Sequence, residues 1–331
     1  MLSAVFYGKG NMKTEQREIP EAGDDDVLIR VHACGICGTD LHIMNGDEGA
    51  AKTPAGTVLG HEFAGEVVDI GRHVTGINIG DRVSVDPNRL CGKCDFCRRG
   101  AGHFCTSMVG IGTTADGGFS EYAAVPSSQV YKVSDDIPYE TAAMCEPLSC
   151  CLHGIELCSI QCGSTVAVIG CGMIGLLMIQ LVRQRGAAKI IATDIIEEKR
   201  KAALRLGADI ALEPSFMHDL GQIDTVIECA GKSSTIEQAI AIAGVNSVVM
   251  MFGLTSPDAM ISVKPFEIFK KEINLRSSYI NPYTFGKAVK LIESGRVDVS
   301  SFVYAKKSLH ELPGLFADKS TLALGKHIIV M

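Results

Sequence analysis

The chain has 331 residues, 47% of them hydrophobic and 21% charged, with a mean hydropathy of +0.21. That is length for about two domains with sizeable cores, and it lies far from the polar, highly charged composition of disordered chains. Against 38 acidic residues stand 31 basic ones, a net charge of −7. With neither a basic run nor aromatics interleaved with Lys and Arg, nucleic acid is excluded as an expected partner.

The start, MLSAVFYGKG, has no charged segment leading into a long apolar one, so no signal peptide is expected. The first 150 residues carry short β-like runs, among them DVLIRVHA, EFAGEVVDIG, DRVSV and FSEYAAV. Gly, Pro and Asp turns separate them at spacings that suit a closed or sandwiched antiparallel β-structure. Residues of metal-ligand and proton-transfer type cluster in three motifs here: CGICGTDLH holds Cys37, Thr39, Asp40 and His42, GHE holds His61 and Glu62, and CEPL holds Glu146.

Between them lies RLCGKCDFCRRGAGHFC, with Cys91, Cys94, Cys97 and Cys105 spaced Cys-x2-Cys-x2-Cys-x7-Cys. The segment has no hydrophobic periodicity from which to build a core, so something else must hold it. Four thiolates at about 2.3 Å make a closed tetrahedral zinc site whose binding free energy orders such a loop. With no open coordination position the site is structural; an iron–sulfur cluster is the rival reading of the spacing. The cysteines number 13, an odd count. Without a secretory signal this points to a reducing, cytoplasmic setting rather than a disulfide framework. Cys150, Cys151, Cys158, Cys162, Cys171 and Cys229 stand in apolar sequence and read as small packing hydrophobes.

From 165 to 279 the pattern is strand, helix, strand, repeated. TVAVI precedes GCGMIG and an apolar helix to about Arg185, then come the strand AKIIATD and the helix EEKRKAALRL. IALE, DTVIEC, SVVMMFG and INLRSSY add four strands, with an amphipathic stretch at 234–243 between two of them. The window 166–182 is long enough to raise a membrane span, but glycines interrupt it and Arg183 follows at once, so a strand–turn–helix is the better reading and no membrane is expected. Six strands in this arrangement predict an α/β doubly wound parallel sheet of order 3-2-1-4-5-6.

Gly170, Gly172 and Gly175 spell G-x-G-x-x-G between a strand and a helix. The spacing serves a tight turn, close approach to a pyrophosphate and close helix packing, and the amides of Met173 and Ile174 meet the negative charge. Nineteen residues beyond Gly175, Asp194 ends the second strand, placed to accept from adenosine ribose hydroxyls and to repel a 2′-phosphate, so NAD is expected over NADP. Lys199 is a further candidate for that ribose. NPYTFGKAVKLIESGRV then reads as a helix, and KHIIVM as a last strand returning to the N-terminal domain, with a ligand cleft expected between the two domains.

Taken together, CGICGTDLH, GHE, GDRV (80–83), the four-cysteine lobe, EPL and GCGMIG closely resemble the zinc-dependent medium-chain dehydrogenase/reductase family, within it the polyol (sorbitol/arabitol-like) branch, over essentially the whole chain. The resemblance implies a β-rich GroES-like catalytic domain at 1–151 and 282–331, with a structural zinc lobe at about 88–106, and a Rossmann domain at 152–281. It implies two zinc ions per chain, the second one catalytic, since hydride removal from an ordinary alcohol requires its O–H proton to be weakened. Cys37 and His61 are implied as ligands together with a carboxylate, open between Glu62 and Glu146; Cys145 is one residue out of register with a family ligand position and reads as packing. Asp40 is implied as the carboxylate that orients His61, and Thr39 and His42 as the proton relay. Vertebrate sorbitol dehydrogenases carry an Arg-Tyr pair where Ile280 and Asn281 stand here, whereas VDPN (85–88) and SYINPYTF (278–285) look more like bacterial and fungal arabitol-type enzymes. The implied activity is hydride transfer between a secondary alcohol of a polyol or sugar derivative and NAD(H), by a homotetramer or homodimer. A polyol phosphate or L-threonine is the alternative substrate. A non-catalytic nucleotide-binding scaffold or redox sensor is the alternative of another class, predicting one zinc instead of two.

Overall fold

The run DVLIRVHACG is buried at seven of its ten positions, which suits a strand covered on both faces and paired on both edges. It forms strand Asp26–Gly35 in a computed structural model that describes residues 1–47, 52–217, 220–322 and 324–331. The chain divides into two units, Met1–Ser149 with Asn281–Met331, and Cys150–Ile280.

In the first unit, strand Asp26–Gly35 pairs antiparallel with Glu62–Ile70 along one edge. On its other edge Tyr122–Pro126 pairs with residues 26–30 and Lys326–Val330 with residues 33–35. The sheet continues through Arg82–Val85 to Val130–Lys132 on one side and, parallel to Lys326–Val330, to Val303–Ser308 on the other. Ile29, Leu59, Phe63 and Phe119 fill the core beneath it. Antiparallel pairing sets the exit of one strand beside the entry of the next: Gly35 lies opposite both Glu62 and Ile328. One end of the sheet therefore collects Cys37, His61, Glu62 and Lys326.

The second unit is a six-stranded parallel sheet ordered Ile210–Leu212, Lys189–Thr193, Thr165–Ile169, Thr225–Glu228, Val248–Met251, Asn274–Ser277. In chain order this is 3-2-1-4-5-6, the order expected of the doubly wound sheet. Helices Met173–Gln184, Glu197–Arg205, Ser233–Ile242 and Pro265–Lys271 connect the strands. No helix among the described residues is long and apolar enough to cross a membrane.

Three features depart from the sequence reading. Residues 145–158 form helix Cys145–Cys158; EPLSCCLHGIELC has no polar stripe and a glycine inside, so its periodicity is silent. Leu2–Gly8 and Asn11–Gln16 form a hairpin joined by Thr57–Val58, which so short and partly polar a pair of runs does not announce. Cys162 is exposed, contrary to its reading as a packing residue, because it sits in the turn closed by Gln161 and Ser164 ahead of strand Thr165–Ile169. Cys151, Cys158 and Cys171 are buried, as is Cys145, while Cys150 and Cys229 are half-buried. Burial pushes the thiols of Cys145, Cys158 and Cys171 up to about 12, which leaves them inert as nucleophiles.

Candidate active site

Strand Asp26–Gly35 ends two residues before Cys37, the N-cap of helix Gly38–Asn45. Asp40, at the third helical position, accepts the backbone N–H of Cys37 at 2.8 Å through Oδ2, half of a capping box. Its other oxygen faces His61 Nδ1 at 3.5 Å. One buried carboxylate therefore holds the backbone that carries Cys37 and faces one ring nitrogen of His61, which leaves the other for a ligand.

Cys37, His61 and Glu62 bring one ligand atom each within 4.8 Å of one another. His61 and Glu62 are buried, and Glu62 Oε1 has no hydrogen-bond partner. Sulfur, nitrogen and oxygen donors around an unsatisfied buried carboxylate oxygen fit a zinc ion, which would supply the missing partner. Burial depresses the His61 imidazole, but the carboxylate of Asp40 and the thiol of Cys37 outweigh it and hold its pKa well above the ordinary value. Glu146 lies buried in the first turn of helix Cys145–Cys158 and outside this three-atom group. Thr39 Oγ1 is 3.7 Å from Cys37 Sγ. His42 is on the same helix, a third exposed, with Nδ1 2.9 Å from Asp47 Oδ2.

Cys91, Cys94, Cys97 and Cys105 form the second such group. The short helix Asp95–Arg98 between them buries none of its residues, so no core holds this lobe. Backbone N–H groups of Cys91, Cys94 and Ser107 point at the sulfurs at 3.3–3.4 Å. The amides of Cys97 and Thr106 hold the Cys94 thiol down to about 6. Burial and the neighbouring Cys94 thiol push Cys97 the other way, to about 12. Four gathered sulfurs with backbone amides aimed among them fit a closed four-sulfur metal site, where the metal would favour the thiolates.

In the second unit Gly170 has φ of +94°, and a Cβ on Gly175 would lie 1.8 Å from the Gly170 carbonyl oxygen. Gly172 caps helix Met173–Gln184, and a Cβ there would meet nothing within 4 Å. The turn thus leaves an open cradle beneath the first-turn amides of Met173 and Ile174, which suits a pyrophosphate. Asp194 follows strand Lys189–Thr193 and accepts the amides of Cys171 and Ile196, each at 2.9 Å. Lys199 is half-buried on helix Glu197–Arg205.

Two residues escaped the sequence reading, and so did the structural role of a third, Asn281. Lys326 is buried, pairs with Glu62 and donates to the carbonyl of Ile36; the signal was a lysine opening the apolar run HIIV. Glu228, a lone charge closing the apolar strand Thr225–Glu228, is buried, and its Oε1 accepts Ala230 N–H, Gly231 N–H and Thr235 Oγ1–H at 2.7–2.9 Å. It thereby organises the loop beside the switch point of the sheet, where open α/β folds bind ligands. Asn281 is buried with its amide committed to Asn88, Asp86 and Ser149.

Comparison with known proteins agrees with this chemistry. Residues 23–135 match the alcohol dehydrogenase GroES-like domain and residues 174–294 the zinc-binding dehydrogenase domain. The chain is 36% identical over 283 residues to an L-threonine 3-dehydrogenase of Caldanaerobacter subterraneus subsp. tengcongensis, covering 82% of this chain and 81% of the relative. It is 32% identical over 323 residues to a sorbitol dehydrogenase of Bacillus subtilis, covering 94% and 91%. A crystal structure of a Sinorhizobium meliloti protein described as a zinc-binding dehydrogenase, bound to NADP, superposes with a TM-score of 0.95 at 34% identity, covering 100% of this chain and 99% of that one. An alcohol-oxidising unit that gathers sulfur, imidazole and carboxylate, followed in one chain by a nucleotide-binding sheet, makes this protein an oxidoreductase of the zinc-dependent medium-chain dehydrogenase family.

Proposed function

We propose that the protein interconverts a secondary alcohol of a polyol or sugar derivative with its ketone, using NAD(H), a catalytic zinc and a structural zinc. The observation that carries this reading is the convergence of Cys37, His61 and Glu62 with Asp40 behind the imidazole. When bound there, zinc acts as a Lewis acid on the substrate hydroxyl and the nicotinamide accepts the hydride. Cys37 and His61 hold the metal with a carboxylate of Glu62 or Glu146, and Asp40 keeps the His61 ring turned toward it. Thr39 receives the hydroxyl proton and His42, braced by Asp47, delivers it to solvent. Gly170, Gly172 and Gly175 cradle the pyrophosphate with the amides of Met173 and Ile174. Asp194 and Lys199 face the adenosine ribose, and the Asp194 carboxylate favours NAD, although the Sinorhizobium relative carries NADP.

The test is NADH formation across polyols, polyol phosphates and L-threonine, with NAD and NADP compared on the best substrate. The expected result is turnover of a polyol with NAD. Replacement of His61 by Ala should abolish turnover while NADH still binds, read from the fluorescence of NADH itself in a chain without tryptophan. Undiminished turnover in that variant refutes the assignment. Turnover of L-threonine alone selects the second reading, which the 36% identity to a threonine dehydrogenase favours. Binding of NADH with no turnover and a single zinc per chain selects a scaffold.

A further inference from the structure

We propose that Glu228 is a positioning residue for the nicotinamide ring, because its carboxylate and its carbonyl join two loops at the carboxyl end of the parallel sheet into one backbone surface. The inference rests on the nucleotide-binding reading above and concerns how this chain shapes the part of that site beyond the pyrophosphate.

Strand order places that part. Asp194 follows Lys189–Thr193 and the glycine turn follows Thr165–Ile169, and the next strands across the sheet are Thr225–Glu228 and Val248–Met251. A dinucleotide with its adenosine at Asp194 and its pyrophosphate at the turn therefore runs along the carboxyl edge toward the loops that follow these two strands. The nearer loop abuts the turn: Cys229 N–H donates to the Ile169 carbonyl at 2.8 Å, and a Cβ on Gly170 would lie 3.1 Å from the nitrogen of Ala230. Ala230 in the nearer loop and Leu254 in the farther one are both exposed, so each loop reaches the surface.

Glu228 holds both loops from inside. Its Oε1 accepts from Ala230 N–H, Gly231 N–H and the Thr235 hydroxyl, which pins residues 229–231 to the first turn of helix Ser233–Ile242. Its backbone carbonyl accepts Phe252 N–H at 3.0 Å and Gly253 N–H at 2.9 Å from the farther loop. The loops meet at two glycines. A Cβ on Gly231 would lie 2.5 Å from the Leu254 carbonyl oxygen, and one on Gly253 would lie 2.3 Å from the Gly231 nitrogen and 2.7 Å from Glu228 Oε2. With no side chains at the crossing, the order of this backbone comes from the carboxylate beneath it. That carboxylate is fully buried, and its Oε2 has no hydrogen-bond partner among the described residues. An unsatisfied buried oxygen costs free energy that an apolar side chain of the same size avoids, so packing alone does not account for a glutamate here. Glu228 acts through the loops and does not itself touch the cofactor.

The experiment measures binding of NADH and of ADP-ribose, the same ligand without its nicotinamide ring, to the full-length protein by titration calorimetry. Glu228→Ala should weaken NADH by about tenfold, the scale of a lost hydrogen bond to a charged group, and leave ADP-ribose within about threefold of the parent. Equal weakening of both ligands, as a merely structural role would give, overturns the proposal, and so does no weakening of either. Glu228→Gln, whose amide oxygen still accepts, should recover most of the NADH affinity; a loss as large as that of Glu228→Ala also overturns it. If Glu228→Ala does not fold, Gly253→Ala decides, since its methyl group pushes the two loops apart and leaves the carboxylate in place. NADH should again weaken by about tenfold with ADP-ribose within about threefold, and a variant that binds NADH as the parent does refutes the joined surface. A parent that binds neither ligand refutes the nucleotide-binding reading and this proposal with it. A parent that binds both, with the two ligands moving together in the variants, refutes the role of Glu228 alone.

Discussion

Asp86 shows what one buried carboxylate does away from the metal. It follows strand Arg82–Val85, and its Oδ1 accepts Asn88 N–H at 3.1 Å and Asn281 Nδ2–H at 3.3 Å. Burial outweighs these bonds and pushes its pKa from 3.8 to about 6. The folded protein therefore binds a proton between those values that the unfolded chain has lost. Stability from this group is complete below about pH 4, falls as the pH rises to about 6 and is flat above, a loss of about 3 kcal/mol. Asp86→Asn, whose amide oxygen accepts the same bonds, should escape the loss. Urea unfolding of parent and variant should coincide near pH 4 and diverge up to about pH 6, the variant being the more stable. A constant gap across that range would refute the assignment. The same network explains why Asn281 has no free donor for a substrate hydroxyl, although it stands where vertebrate sorbitol dehydrogenases place part of an Arg-Tyr pair.

The lobe 91–105 is an element with almost no core, so its order is expected to depend on metal. Cys94→Ser should lower the zinc content by one ion and open the lobe to limited proteolysis, while NADH binding by the other unit persists. A variant that keeps two zincs and resists cleavage would overturn the reading. This element was legible in sequence because metal spacing is local, and so was the nucleotide turn, where three glycines, a strand and a helix fall within one short stretch. The parallel strands were legible for a related reason: each is a short apolar run bounded by turn residues, and alternation with helices dictates their pairing. What escaped the sequence is what pairing over long separations creates. Helix Cys145–Cys158 has no polar face to mark it, and Lys326 meets Glu62 only because strands 264 positions apart flank Asp26–Gly35. Chemistry alone left the choice between Glu62 and Glu146 open, and only the strand pairing that sets Glu62 opposite Gly35 groups it with Cys37 and His61.

At the scale of the whole molecule, strand Asn274–Ser277 ends the parallel sheet with all four residues exposed. In the preceding helix Pro265–Lys271, Phe266 and Phe269 are 67% and 76% exposed. An open edge flanked by aromatic surface is a ready template for pairing with another copy. The protein is expected to run as a homodimer or homotetramer in light scattering. Leu275→Lys combined with Phe269→Glu should reduce it to monomers that still bind NADH, and an unchanged mass would refute this edge as the interface. The position of strand Lys326–Val330 has its own consequence for how the protein is made. The nucleotide-binding unit is continuous and leaves the ribosome while the other unit still lacks the strand that seats against Asp26–Gly35. During synthesis the second unit can therefore fold first, and the end of the sheet that carries Cys37, His61 and Glu62 is completed only once strand Lys326–Val330 has emerged.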